Sequence, residues 1–226
     1  MSATVPVITI DGPSGTGKGT LGFRIAQRLG WHFLDSGALY RLVALRAGDE
    51  GVALDDELRV ASIAQHLPVR FEVSGGEFRT LLEGRDEADR LRTEEAGAAA
   101  SVVAALPAVR AALLSRQHNF RQLPGLVADG RDMGTVVFPD AVLKLFLTAS
   151  AEVRAGRRHK QLRGKGIDVR LAPLLEDIRR RDQRDQQRAI APLLPASDAA
   201  ILDTTELGIS EVENHVIGLL RERGIV

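Results

Sequence analysis

The stretch of sequence that decides the fold is residues 5–20, VPVITIDGPSGTGKGT. Its first half, residues 5–11, is rich in β-branched side chains and predicts a short buried strand. Apolar side chains then recur at helical spacing, at Leu21, Ile25 and Leu29. A strand, a glycine-rich turn and a helix in this order predict the first unit of a parallel α/β sheet.

The glycine-rich turn matches the phosphate-loop pattern, because Gly12 and Gly17 enclose four residues and Lys18 follows. Glycines let successive backbone N–H groups point into one concavity, and the N-terminus of the next helix adds a partial positive charge. We therefore expect this loop to bind the phosphates of a donor nucleotide, with Lys18 on the outer ones. The predicted nucleotide-binding residues are Gly12, Pro13, Ser14, Gly15, Thr16, Gly17, Lys18, Gly19 and Thr20.

One residue of the loop departs from the usual pattern. Gly19 stands where a hydroxyl residue normally contacts Mg2+, and Thr20 comes one position later. Asp129 ends the apolar run at 126–128, as expected of a carboxylate near Mg2+, although a plain strand-end turn would explain it too. Mg2+ is thus an expected cofactor for which the sequence identifies no direct protein ligand.

Strands and helices alternate along the rest of the chain. Further strands are predicted at residues 32–35, 126–128, 142–148 and 200–202. Helices are predicted at residues 37–47, 55–66, 94–106, 107–123, 151–162, 171–188 and 211–223. Ser36 is the predicted N-cap of the first of these, and Pro107 is expected at a first helical position. The pattern predicts one domain over residues 1–226, with a parallel core sheet covered by helices on both faces.

A small hairpin does not fit this alternation. Residues 69–73 and 78–83 alternate in polarity around the tetrapeptide SGGE at 74–77, which predicts an antiparallel insertion outside the main sheet. The tetrapeptide superficially resembles a transporter-ATPase signature, but a hairpin turn explains it better. A GTPase is not indicated either, since neither Asn119 nor Asn214 lies in the guanine-reading pattern Asn-Lys-x-Asp.

Composition excludes several classes of protein. The 226 residues are 44% hydrophobic and 27% charged, which is typical of a globular chain. The absence of cysteine excludes disulfides, thiolate zinc sites, iron–sulfur clusters and a cysteine nucleophile. The five histidines show no ligand spacing, so a zinc site is not expected.

Two further loops carry arginines where doubly wound sheets bind ligands. DSGALYR at residues 35–41 follows the second predicted strand, and GRDMG at residues 130–134 follows the strand at 126–128. Ligands bind outside the carboxyl ends of such strands, so both loops are expected to face one crevice. Arg41 and Arg131 would there suit bidentate contacts with a phosphate.

Three stretches resemble the bacterial cytidylate kinase family: residues 35–41, ADGRDMGTVVFP at 128–139, and the Arg-Asp-x-Arg-Asp run at 181–185. The resemblance extends over nearly the whole chain, and GRDMGTVVFPD is its most specific part. It implies a three-layer P-loop kinase fold with a nucleoside-monophosphate-binding insertion at about 36–106 that carries the small antiparallel strands. It also implies a short helical lid at about 154–166, and transfer of a phosphoryl group from ATP to CMP or dCMP with Mg2+.

The resemblance also assigns residues to the acceptor nucleotide. Cytosine is assigned to Ser101, Arg110 and Asp132, the acceptor phosphate to Arg41 and Arg131, the ribose to Asp185 with Arg188, and Ser36 joins the substrate site. A carboxylate beside an arginine complements the amino group and acceptor atoms of cytosine, whereas uracil replaces that amino donor with an acceptor. Spacing alone does not single out Ser101 or Arg110.

The segment between Arg154 and Arg188 is basic, with 12 Lys and Arg against 5 Asp and Glu in a chain of zero net charge. Arginines recur on one predicted helix at 154, 157 and 158 and on the next at 181, 184 and 188, spaced to share a face. A solvated basic face is the alternative interpretation. Phosphoryl transfer depends on positioning and cationic stabilisation and needs no general base when the acceptor is itself a phosphate. The predicted catalytic residues are Lys18, Asp129, Arg131, Arg158 and Arg181.

Two rival hypotheses remain at this stage. One is a kinase of the same fold for another small acceptor, such as UMP, AMP or shikimate. The other is a nucleotide-dependent switch or RNA-binding module, which zero net charge and single Trp and Tyr residues disfavour. Residues 1–6 lack a secretory signal and no stretch approaches 18 apolar residues, so we expect a cytoplasmic monomer that binds small nucleotides and neither nucleic acid nor membrane.

Overall fold

The computed structural model of the chain describes residues 5–74, 77–164 and 166–226. Gly75 and Gly76 of the predicted hairpin turn, and Lys165 of the predicted lid, lie outside the described residues. The chain divides into two compact units: a core unit of Met1–Phe33 with Arg121–Val226, and an inserted unit of Leu34–Phe120.

The described strands and helices follow in chain order. The strands are β1 (Val7–Asp11), β2 (His32–Asp35), β3 (Val69–Ser74), β4 (Glu77–Leu82), β5 (Arg85–Asp86), β6 (Leu126–Gly130), β7 (Leu143–Thr148) and β8 (Ala200–Asp203). The helices are α1 (Lys18–Leu29), α2 (Ser36–Asp49), α3 (Glu57–Gln65), α4 (Ala88–Leu91), α5 (Glu94–Val103), α6 (Pro107–Asn119), α7 (Ala151–Gly164), α8 (Leu171–Gln186) and α9 (Ile209–Glu222). A π-helical turn, Met133–Val137, follows β6.

The main sheet has the strand order β2-β6-β1-β7-β8. Strand β1 pairs in parallel with β6 and β7, and β7 pairs in parallel with β8. Every residue of β1 is buried, as expected of a central parallel strand. The predicted parallel α/β sheet is therefore confirmed.

Alternation along β1 separates two environments. Ile8 and Ile10 lie in an apolar core that also takes side chains from β6, β7, α1 and α9. Successive side chains of a strand point to opposite faces, so Thr9 and Asp11 lie on the other face of β1. Helix α1 contributes Leu21 and Ile25 to the apolar core, as the helical spacing in the sequence predicts.

The inserted unit holds a separate antiparallel sheet of order β3-β4-β5. Val69 pairs with Leu82 and Phe71 with Thr80, which confirms the predicted hairpin. The two-residue strand β5 and the one-turn helix α4 were not predicted, because segments this short carry no measurable periodicity.

Several predicted boundaries were wrong. Asp35, not Ser36, caps α2: its carboxylate accepts from the backbone N–H of Ala38 at 2.9 Å, while Ser36 is the first helical residue. Helix α5 ends at Val103 and not at 106, since Leu106 precedes Pro107 and adopts an extended conformation.

Two further helices are shorter than predicted at their C-terminal ends. Helix α6 ends at Asn119, and α8 ends at Gln186. Arg188 therefore lies beyond the helix that was predicted to carry it. Pro107 does occupy the start of α6, as expected.

Among the described residues, no single helix is long and apolar enough to cross a membrane. Only α5 and α6 taken together meet the length and composition criteria, and they are bent by 101° at the break between them.

Candidate active site

The phosphate loop begins where β1 ends and leads directly into α1. Gly12 has φ 145°, and a Cβ at this position would lie 2.2 Å from the carbonyl oxygen of Leu147, so only glycine fits. Gly17 forms the N-cap of α1 with φ 92°. The strand, loop and helix thus lie in the arrangement that the motif requires.

Lys18 lies beside a buried carboxylate. Its Nζ donates to the carbonyl oxygen of Pro13 at 3.2 Å and lies 3.9 Å from Oδ1 of Asp129, at the end of β6. A Cβ at Gly19 would lie 3.0 Å from Oδ2 of Asp129. The glycine that replaces the usual hydroxyl residue therefore makes room for Asp129, and Thr20 is exposed.

The residues present fit Mg2+ in the way that phosphate-binding sites commonly hold it. Within the described ranges, no group of three or more His, Cys, Asp or Glu side chains could hold a metal ion. Mg2+ is usually bound through one or two carboxylates together with substrate phosphates and water. Asp129, a hard oxygen donor only 5% exposed and next to Lys18, fits that donor set.

A second loop leaves the sheet next to the phosphate loop. We call residues 130–137 the acceptor loop; it contains Arg131, Asp132 and the π-helical turn. Strands β1 and β6 are parallel neighbours in which Asp11 pairs with Gly130. Both loops therefore start at the same edge of the sheet.

Asp11 joins β1 to the acceptor loop through its side chain. Oδ1 accepts from the backbone N–H of Met133, and Oδ2 from that of Gly134, each at 2.8 Å. Burial raises the pKa of Asp11 to about 7: the two N–H donors lower it, and the nearby carboxylates of Asp132 and Asp129 raise it further.

Arg131 is held by an acidic residue of α8. Its Nε donates to Oδ2 of Asp185 at 3.0 Å, and its Nη1 to the carbonyl oxygen of Gly130 at 3.1 Å. Arg188 donates to the other oxygen of Asp185, although Arg188 lies past the helix end. Burial acts to raise the pKa of Asp185, but Arg131, Arg188 and Arg181 outweigh it and lower this pKa to about 2.

The pKa of Arg131 shows the same pairing from the other side. Burial acts to lower the pKa of this guanidinium, but the charge of Asp185 and its hydrogen bond outweigh burial and raise the pKa. Arg131 and Asp185 are therefore both charged at neutral pH. Arg181, predicted as catalytic, is close enough to act on the pKa of Asp185.

Two arginines of α7 support the phosphate loop, one directly and one through Thr204. Arg154, only 4% exposed, donates from Nη1 to the carbonyl oxygen of Ser14 at 3.2 Å and makes a two-pronged ion pair with Asp182 of α8. Arg157 donates to the hydroxyl of Thr204, which contacts the carbonyl oxygen of Thr16 at 3.2 Å. These two arginines support the loop through its backbone.

Arg158 differs from its two neighbours on α7. Its Nη1 donates to Oε1 of Gln161 at 2.8 Å, one turn further along the same helix. Arg154 and Arg157 thus contact the phosphate loop or its support at Thr204, whereas the described bond of Arg158 is to Gln161 of α7.

The predicted acceptor residues of the inserted unit lie on three helices. Ser36 is buried at the start of α2, and Nη1 of Arg41, in the same helix, lies 3.9 Å from Oδ2 of Asp35. Ser101 is buried in α5. Arg110, in α6, donates to the carbonyl oxygen of Ala104 at 3.3 Å, and its guanidinium lies 5.9 Å from the centre of the Tyr40 ring.

Sequence reasoning missed three residues that support the site: Asp11, Asp182 and Thr204. Each acts on a partner more than 25 residues away in the chain, so spacing gives no signal for the contact. Asp182 lies inside the Arg-Asp-x-Arg-Asp run, which was the one pattern that pointed to it.

Comparisons with known proteins agree with the motifs. A family model described as cytidylate kinase matches residues 8–222. The chain is 58% identical over 228 residues to a cytidylate kinase of Pseudomonas putida strain W619, covering 100% of both chains. It is 58% identical over 226 residues to that of Pseudomonas aeruginosa strain UCBPP-PA14, covering 99% of each. A solved structure of an uncharacterized protein from Eubacterium ventriosum has a TM-score of 0.51 at 11% identity over 96% of this chain and 99% of that chain, a likeness of fold alone.

Proposed function

The chain belongs to the cytidylate kinase family, and we propose that it transfers the γ-phosphoryl group of ATP to CMP or dCMP, giving ADP and CDP or dCDP. The activity is that of an ATP-dependent phosphotransferase in pyrimidine nucleotide metabolism. One observation supports it most: the phosphate loop and the acceptor loop leave neighbouring parallel strands at one edge of the sheet. A donor and an acceptor phosphate can then meet without a covalent intermediate.

The phosphate loop is proposed to hold ATP. Residues 14–20 offer backbone N–H groups and the positive end of α1 to the phosphates, and Lys18 contacts the outer ones. Arg154 donates to the carbonyl oxygen of Ser14 and Thr204 to that of Thr16, and these hydrogen bonds fix the backbone of the loop.

The acceptor loop and α8 are proposed to hold the phosphate and sugar of CMP. Arg131 keeps Nε and Nη1 on protein oxygens, so Nη2 is the nitrogen proposed to contact the acceptor phosphate. Arg41 is proposed to bind the same phosphate, while Asp185 and Arg188 bind the ribose. An ionised Asp185 is a suitable acceptor for a sugar hydroxyl, and its low pKa keeps it ionised.

Cytosine recognition is proposed for Asp132 of the core unit and for Ser101 and Arg110 of the inserted unit, with Ser36 in the same substrate site. A carboxylate accepts from the exocyclic amino group of cytosine, and an arginine donates to its acceptor atoms. UMP presents a carbonyl in place of that amino group, so we expect the chain to discriminate against UMP.

During transfer, an oxygen of the acceptor phosphate attacks the γ-phosphorus and the bond to the β–γ bridging oxygen breaks, which leaves ADP. No residue needs to remove a proton, because the attacking oxygen is already anionic. The cationic side chains of Lys18, Arg131, Arg158 and Arg181 are proposed to stabilise the charge on the migrating group. Bound Mg2+, held by Asp129 and the nucleotide phosphates, would neutralise part of the charge on the β- and γ-oxygens.

Predictions on domain organisation, cellular location and oligomeric state accompany this function. The nucleotide-binding insertion at about 36–106 and the lid at about 154–166 stay predictions within a single catalytic domain of residues 1–226. We also propose a cytoplasmic monomer whose partners are small nucleotides, with no nucleic-acid or membrane partner. Sedimentation of the purified chain, with and without nucleotide, would test the monomer.

The deciding experiment measures ADP release from ATP and Mg2+ with CMP, dCMP, UMP and AMP supplied separately. We expect turnover to be fastest with CMP and dCMP, and the Lys18→Met variant serves as the control for contaminating kinases. Faster turnover with UMP or AMP would overturn the base assignment and keep the kinase. A lack of stimulation by any acceptor, in a folded sample that binds ATP, would overturn the proposed function.

A further inference from the structure

We propose that Asp11 is a positioning residue that fastens the acceptor loop to the strand from which the phosphate loop begins. The proposal rests on the proposed function, because it concerns how Arg131 and Asp132 are held for the acceptor. Asp11 is not proposed to touch either nucleotide. It acts through the backbone of Met133 and Gly134.

Both oxygens of the Asp11 carboxylate are used by the acceptor loop. They accept from two consecutive backbone N–H groups at 2.8 Å each, and Asp11 is 4% exposed. The two donors lie at the start of the π-helical turn, where N–H groups have no partner within the helix. A buried N–H without a partner is costly, so Asp11 is what allows the turn to form at this place.

The packing between the turn and β1 is close. A Cβ at Gly134 would lie 2.8 Å from Oγ1 of Thr9 and 3.2 Å from Cδ of Lys144. Thr9 and Asp11 are on the face of β1 opposite Ile8 and Ile10. The turn therefore packs closely on this polar face, with Gly134 against the side chains of Thr9 and Lys144.

Asp11 also lies at the junction of the two loops. Its backbone is in register with Gly130 on one side and with Phe146 on the other, and Gly12 follows it in the chain. Arg131 and Asp132 lie between two anchors, the pairing at Gly130 and the carboxylate contacts at Met133 and Gly134. Loss of the second anchor leaves the backbone that carries Arg131 and Asp132 fixed to the sheet at Gly130 alone, so this backbone can shift relative to the phosphate loop.

The test replaces Asp11 with asparagine. The amide has nearly the same shape, but its NH2 group cannot accept, so one of the two backbone donors loses its partner. We expect the KM for CMP to rise about tenfold, because one of the two buried N–H groups loses its hydrogen bond, while the KM for ATP stays within about twofold. Amide exchange at Met133 and Gly134 should be at least about tenfold faster in Asp11→Asn.

Asp203→Asn is the matched control. Asp203 ends β8 as Asp11 ends β1, and its Oδ1 also accepts from a backbone N–H, that of Thr205, at 2.8 Å. Asp203 is exposed, and its described side-chain hydrogen bonds both come from Thr205. We expect both KM values and exchange in the acceptor loop to match those of the parent chain.

Two results would overturn the proposal. One is unchanged exchange at Met133 and Gly134 in folded Asp11→Asn; the other is an equal rise in both KM values, which indicates general destabilisation. The exchange measurement needs no acceptor, so it tests the fastening even if CMP is not phosphorylated and the proposed function fails. If Asp11→Asn does not fold, Gly134→Ala replaces it, because the added Cβ pushes the same turn away from Thr9. We expect Gly134→Ala to raise the KM for CMP and not that for ATP. An unchanged KM for CMP in this variant also overturns the proposal.

Discussion

The phosphate loop and the acceptor loop begin at neighbouring strands and are held in different ways. The phosphate loop takes its shape from glycines, with Gly12 pressed against the carbonyl oxygen of Leu147. The acceptor loop takes its position from carboxylates elsewhere in the chain: Asp11 holds its backbone and Asp185 holds Arg131. The shape of the phosphate loop can be derived from its own glycines, whereas the contacts that position the acceptor loop cannot be derived from the residues of that loop.

The largest effect is expected at the phosphate loop. Lys18→Met removes the cation that lies 3.9 Å from Oδ1 of Asp129, and we expect kcat to fall about 10³-fold, in the range for loss of one preorganised charge in an active site. ADP release with saturating CMP measures it. Arg221→Met, at an exposed position of α9 outside both loops and the predicted lid, is the control and should keep full activity. A Lys18→Met variant with more than a tenth of the parent kcat would contradict the role.

The next effect concerns the acceptor loop. Arg131→Gln removes one of the cations around Asp185 and the proposed contact with the acceptor phosphate, and we expect kcat/KM for CMP to fall about 10²-fold. The KM for ATP should change little. Arg24→Gln is the control, since Arg24 makes an exposed ion pair with Glu213. Kinetics like those of the parent chain would remove Arg131 from the site.

Base selection gives a smaller effect. Asp132→Asn changes the group proposed to accept from the amino group of cytosine, and we expect kcat/KM for CMP to fall about tenfold relative to that for UMP. The ratio of the two constants, measured in one preparation, cancels any loss of folded protein. Equal losses for CMP and UMP would indicate damage to folding and not to recognition.

The smallest effect is expected behind the phosphate loop. Arg154→Lys keeps the charge but cannot hold both oxygens of Asp182 and the carbonyl oxygen of Ser14 at once. We expect the KM for ATP to rise about threefold, because fewer hydrogen bonds fix the loop, while the KM for CMP is unchanged. A rise in the KM for CMP alone would show that Arg154 supports the acceptor loop, and would contradict the difference between the two loops.

Sequence reasoning predicted the parts of the fold that depend on local patterns. The strand and helix around Gly12 and Lys18 and the antiparallel hairpin follow from periodicity and turn chemistry, and the structure confirms them. The resemblance to a family, carried by the acceptor-loop motif, is confirmed by the family model. The roles of individual site residues stay predictions.

The parts that escaped prediction depend on contacts between distant residues or on competition between neighbours. Asp35 and Ser36 are both good caps, and only the backbone geometry selects Asp35. The first N–H groups of the π-helical turn donate to Asp11, which lies more than 120 residues earlier in the chain. The residues GRDMGTVV alone therefore do not predict a contact with Asp11.

Two of the three aspartates of helix α8 lie three residues apart, and each forms an ion pair with an arginine of a different region. Asp182 holds Arg154, which bonds to the phosphate loop, and Asp185 holds Arg131 of the acceptor loop. The two ion pairs therefore connect the phosphate loop and the acceptor loop through one rigid element, a helix of 16 residues. Any coupling carried by this helix acts equally in both directions: the factor by which bound ATP changes the affinity for CMP equals the factor by which bound CMP changes the affinity for ATP.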